Sequence, residues 1–244
     1  MAEIPSACSV RPDPSLKLTC QGRFVRTFSR PVGDSMKRDE IAALFDQQAA
    51  GYDTQWLRMS PVREGLFFLL EAAFATLPPD TRVLSAGAGT GIEIEFLATR
   101  CTFHHGFLES LASDSPYDGA TCLLVSQFLT DPAARQGLFG DIATRLRPGG
   151  ILVNADLASD ISSPEYESLL AMWLDRMSSA GVPPEALARA RAAYAKDAAV
   201  LPPAQVAALI AAAGFDAPTP FLQAGLMHAW CATRARREAA RQRE

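Results

Sequence analysis

The sequence predicts an α/β fold, a doubly wound and mostly parallel sheet with helices on both faces. Three observations predict it. Short apolar runs of strand character alternate with stretches of helical period, the pattern of a parallel sheet covered on both sides. One apolar strand, Val83-Leu84-Ser85-Ala86, runs straight into glycines at alternate positions, Gly87, Gly89 and Gly91. At 244 residues the chain suits one domain able to bury a sizeable core.

Composition narrows the function classes. Hydrophobic residues make up 48%, charged residues 20%, and the formal net charge is −4, without the basic excess that makes a nucleic-acid partner an attractive reading. Cys8, Cys20, Cys101, Cys122 and Cys231 form no C-x-x-C pair and are odd in number, which favours a reducing, cytoplasmic location. The longest apolar runs fall short of the roughly 20 residues a membrane span needs. The sequence does not give the oligomeric state.

The elements follow in order. Residues 1–35 lack helical or strand period and carry Pro5, Pro12, Pro14 and Pro31, so they read as a disordered tail or as sequence upstream of a true start at Met36. Asp39 to Tyr52 suits a helix with Ile41, Leu44 and Phe45 on one face. Pro61 to Leu77 reads as a second helix, opened by proline and stopped by Pro78-Pro79. The glycine strand and a helix from Ile92 come next. Then follow a strand at Cys101–Gly106, a strand at Ala120–Val125, a helix over Phe128–Leu146, a turn at Arg147-Pro148-Gly149-Gly150 and a buried strand at Ile151–Ala155. Residues 159–199 break the alternation with helices starting near Pro164 and Pro183, and read as a helical lid. Pro202-Pro203 opens an alanine-rich helix ending at Gly214. Strand-like 221–223 and 226–232 close the sheet as a hairpin, and 233–244 is a basic tail.

Glycines at this spacing let backbone turn sharply off a strand and let a ligand approach where a Cβ would stand. The spacing is G-x-G-x-G, since Ile92 occupies the sixth position, and no Gly-Lys-Ser/Thr follows as in a Walker loop. Four landmarks in order carry a resemblance: Phe45-Asp46 through Tyr52-Asp53, the glycine loop, Tyr117-Asp118-Gly119-Ala120, and Leu146-Arg147-Pro148-Gly149-Gly150. With Ala213-Gly214-Phe215 they span about residues 40 to 232. Together they resemble the class I S-adenosylmethionine (SAM)-dependent methyltransferases, a Rossmann-like family of small-molecule and tRNA-modifying enzymes.

The resemblance implies SAM as cofactor and a methyltransferase domain over residues 36–232. It implies that Ser85, Gly87, Ala88, Gly89 and Gly91 admit the cofactor's methionine moiety and ribose. Val125, Ser126 and Gln127 would line it from the fourth strand's tip, and Phe107 and Leu108 would meet adenine. Tyr52 would close over the sulfonium, a cation an aromatic face attracts; simple helix packing is the competing reading for Tyr52 and for Trp56. A small-molecule acceptor pocket would draw on Trp56, Trp173, Met177, Tyr194 and His228. For Trp173, Met177 and Tyr194 the alternative is packing of lid against core, and His228 reads as a core or pocket histidine rather than a general base. His104-His105 point to opposite faces of a strand and lack a third ligand, so no metal site is expected.

Two departures from the family stand out. Ser85 replaces the acid usual at the end of the first strand. A strand-helix unit is missing after Arg100, and with it the acid that binds the ribose hydroxyls. Glu109, 18 residues after Gly91, is the candidate replacement, with Cys101–Gly106 expected to pair directly with the first strand. A surface glutamate is the alternative for Glu109. The expected function is methyl transfer to a small molecule. A non-catalytic binding or scaffold relative, or a tRNA-modifying enzyme, are the alternatives.

Overall fold

A computed structural model describes residues 19–20, 60–78, 80–88, 93, 100–101, 108–111, 115–179, 181–196 and 198–236. Its strands are β1 (Thr19–Cys20), β2 (Arg82–Ala86), β3 (Arg100–Cys101), β4 (Tyr117–Leu123), β5 (Leu146–Leu157), β6 (Thr219–Ala224) and β7 (Met227–Thr233). The helices are α1 (Ser60–Phe74), α2 (Pro132–Arg145), α3 (Pro164–Ser179), α4 (Pro184–Lys196) and α5 (Pro203–Ala212). The strands form one open sheet in the order β3-β1-β2-β4-β5-β7-β6. Pairing is parallel from β3 through β5 and antiparallel at the β7 and β6 end. This is the doubly wound, mostly parallel α/β architecture expected, closed by the expected hairpin.

The helices cover both faces by strand alternation. Leu84, Ala120, Cys122, Leu152 and Trp230 turn to one face, where Leu138, Phe139 and Ile142 of α2 and Val206 and Ile210 of α5 meet them. Val83, Val153, Ala155, Leu157 and Ala229 turn to the other, against Leu66, Phe67, Leu70 and Phe74 of α1 and Tyr166, Leu170 and Trp173 of α3. A Cβ at Gly119 would stand 2.9 Å from Phe74 Cε1, so glycine lets α1 close onto β4. The Asp131 side chain caps α2 by accepting from the amides of Ala133 and Ala134, with Pro132 in the first turn.

Two expectations are corrected. Cys101, the described residue of the segment Cys101–Gly106, pairs with β1 and not directly with the glycine strand. β1 lies between β2 and β3, with Thr19 opposite Arg82 and Arg100, and Cys20 opposite Val83 and Cys101. An extended segment from the N-terminal region thus takes the place beside β2 that the sequence left vacant, because an open parallel edge exposes backbone groups that need partners. The second correction concerns Arg147–Gly150, expected as a turn before a strand. β5 already begins at Leu146, opposite Tyr117, and the next partners are Gly119 and Ile151, so these residues form an irregularity within one strand. Gly149, at φ +80°, supplies the bend.

The residues read as a lid pack as a layer, and both their ends are tied to the sheet. The Ala158 amide donates to Leu226 O, Ser159 to Leu201 O, and Ala199 to Gln127 O. Ala158 and Leu201 also form a parallel bridge. Among the described residues no helix is long and apolar enough to cross a membrane.

Candidate functional site

In open α/β sheets ligands lie beyond the carboxyl ends of the strands. At that edge β2 runs through Ser85 and Ala86 into Gly87, whose φ is +74°. A Cβ there would stand 2.5 Å from Val125 Cγ2, so the structure brings together Gly87 and Val125, both predicted to line the cofactor. Ala88 is buried beside them. The backbone preceding Val125 is also unusual: Leu124 has φ +57° and donates its amide to Ala155 O at 2.6 Å. The left-handed conformation costs a non-glycine residue about 1–2 kcal/mol, so the tip of β4 is held in place by its surroundings. Gly89 and Gly91 lie outside the described residues.

Gly87→Ala is accordingly expected to destabilise the fold by about 2 kcal/mol through its positive φ and the Val125 contact. Urea unfolding would measure this, and Val125→Ala in the same background should recover the contact part.

Ser85 is buried, and its hydroxyl donates to Glu93 Oε1 at 2.8 Å. An acid eight positions on in the sequence thus stands at the strand's end. Burial pushes the Glu93 carboxyl above its ordinary range, opposed by the Ser85 hydrogen bond. Glu93 was missed from the sequence, where it reads as one of two glutamates alternating with Ile92 and Ile94.

Ser126 and Gln127 occupy a short 3₁₀ turn after β4, and both turn into a buried polar network. Ser126 Oγ donates to Asp156 Oδ2 at 2.5 Å and accepts from Arg135 Nε at 2.9 Å. Arg135 Nη2 donates to Asp156 Oδ2 at 3.0 Å and Nη1 to Ala199 O at 2.9 Å. Asn154 Nδ2 reaches the same carboxylate at 2.7 Å. The Gln127 amide donates to Asp156 Oδ1, and its side-chain oxygen accepts from the Leu157 amide at 2.7 Å. The network locks α2, the β4 and β5 tips and the chain leaving α4 into one arrangement. Above it, burial pushes the Cys122 thiol far up, reinforced by Asp156, which makes it an inert core sulfur.

Of the predicted acceptor residues, Trp173 is buried and its indole N–H donates to Tyr194 Oη at 3.1 Å. Both belong with Met177 to the layer packed on β5 and β7. His228 is buried and stacked on Trp230, with ring centroids 5.9 Å apart. Burial pulls its imidazole below the ordinary value, with Glu165 acting the other way. It stands opposite Asp156 in the β5–β7 ladder. Leu108 is a core residue. Glu109 sits in the 3₁₀ turn Leu108–Ser110, but its side chain, like Tyr52, Trp56, His104, His105 and Phe107, lies outside the described residues. Among the described residues no group of three metal-binding side chains converges.

No family model matches the chain, and no curated protein does. Solved structures do. A SAM-dependent methyltransferase of Thermotoga maritima, described as a possible histamine N-methyltransferase, is similar with a TM-score of 0.53 at 15% identity, over 79% of this chain and 99% of that one. A provisional O-methyltransferase of Nostoc punctiforme gives a TM-score of 0.50 at 14% identity, over 78% of this chain and 59% of the other. At such identities the likeness is one of fold.

Proposed function

We propose that the chain is a SAM-dependent methyltransferase acting on a small-molecule acceptor in the cytoplasm. The observation that carries this reading is the end of β2, where a positive-φ glycine meets the tip of β4 and a buried acid stands behind the strand's last polar residue. These residues fit SAM by their chemistry: a turn without a Cβ for close approach, and a carboxyl beside it for a cationic group. SAM, when bound, supplies a methyl group on a sulfonium that needs no further activation. The chain's own part is then alignment and exclusion of water. Gly87 and Ala88 would bound the cofactor, the Arg135–Asp156 network would hold the β4 tip rigid against it, and α3 and α4 would close the acceptor side.

A second reading has a specific observation behind it. Ser126 and Gln127 spend their side chains on the buried network, and Val125 packs against Gly87, as suits a binding or scaffold relative that has lost cofactor affinity. A tRNA acceptor finds no basic platform in the sequence to support it. Titration calorimetry of the full chain with SAM and S-adenosylhomocysteine separates the first two. Micromolar binding is the expected result, and no binding up to millimolar ligand would favour the scaffold.

A further inference from the structure

We infer that Glu93, held against Ser85 at the end of β2, is the group that receives the cationic amine of the bound ligand. The inference rests on the SAM reading above and specifies how this chain recognises the amino-acid end of such a ligand. Glu93 is 6% exposed and Ser85 1%, and the hydroxyl–carboxyl contact of 2.8 Å fixes the acid against the end of β2. A buried carboxylate is costly unless a cation or several donors compensate it. Among the described residues no lysine, arginine or histidine forms an ion pair with Glu93, and Ser85 is the side chain that donates to it. The neighbour of Ser85 in the ladder adds to the polar demand: Thr121 Oγ1 is buried and has no hydrogen-bond partner among the described residues. An ammonium supplies the positive charge and three donors. The strand itself carries a neutral serine here, so the acid comes from beyond the loop.

Proton linkage follows. Without ligand, burial, the Ser85 hydroxyl and the backbone N–H of Glu93 itself set the Glu93 environment, and burial, the largest effect, raises its pKa. A carboxyl raised in the folded state adds stability below its unfolded pKa and loses it as pH rises through the folded value. A bound ammonium favours the ionised form, so binding releases a proton wherever free Glu93 is still protonated. Affinity for an amine-bearing ligand then rises with pH across that titration.

The test compares SAM with 5′-methylthioadenosine, which keeps the adenosine and lacks the amine, by calorimetry on the full chain. Glu93→Gln should weaken SAM roughly 10- to 100-fold, as loss of a charge-assisted hydrogen bond implies, and leave methylthioadenosine unchanged. At a pH near 4.5, the ordinary value above which burial raises this carboxyl, wild-type protein should release protons on binding SAM, read from buffers of different ionisation enthalpy, and release none with methylthioadenosine. This measurement decides the matter even if the variant does not fold. If both ligands bind, and SAM binds without proton release at that acid pH or with unchanged affinity in Glu93→Gln, the assignment of Glu93 is overturned while the SAM reading stands. If neither ligand binds, both fall.

Discussion

Arg135→Met is expected to lose about 3–5 kcal/mol of stability, the usual result of breaking a buried ion pair from one side. Arg135 and Asp156 are both fully buried, and their contact at 3.0 Å is one of several bonds each makes. Methionine would fill much of the space but leave a buried carboxylate with only neutral donors, Ser126, Asn154 and the Gln127 amide. Against a typical stability of about 5–15 kcal/mol, that brings the fold near its limit. Urea unfolding followed by circular dichroism would measure it. A double variant Arg135→Met/Asp156→Asn should be more stable than the sum of the single losses, since the two residues couple. Additive losses would show that the pair is not an interacting unit.

Removing residues 1–35 is expected to be as damaging. The segment reads as dispensable, yet it contains β1, which pairs on both sides inside the sheet. Its loss takes away the backbone bonds of two ladders, each worth about 0.5–1.5 kcal/mol net, for a total of several kcal/mol. It also leaves β2 and β3 with open edges that invite pairing between molecules. A chain beginning at Met36 should melt at lower temperature and self-associate, as calorimetry and light scattering would report. A truncated protein that is monomeric and melts like the full chain would show that β1 contributes nothing to the sheet.

These two cases mark where the sequence stopped being legible. Val83–Ala86, Ile151–Ala155 and the closing hairpin announced themselves through apolar runs bounded by glycine and proline, because burial on two faces leaves a continuous signature. β1 could not, since two residues have no period and their partners lie far away in the chain. The glycine turn was readable because positive φ selects glycine at Gly87. Glu93 was not, because nothing local distinguishes a buried glutamate from a solvated one. The Arg135–Asp156 network left one trace that could have been followed. Asn154 and Asp156 are two polar residues at strand period within an apolar run, and so share one face of a buried strand. That arrangement demands a donor from a covering helix, which Arg135 provides.

The bridge between Ala158 and Leu201 has a consequence for how the protein can change over generations. All the chain between those residues leaves the sheet and returns at a single point, so its length is decoupled from the register of every strand. Insertions or deletions between α3 and α4 leave every strand register untouched, as suits a segment with adjacent ends, whereas within α3 they would displace Tyr166, Leu170 and Trp173 from the sheet face they cover. Because Gln127 anchors the returning strand by its backbone oxygen, that docking point needs no particular side chain in the excursion. The outward-facing part of the region between the two anchors can therefore vary while the frame beneath it stays constant.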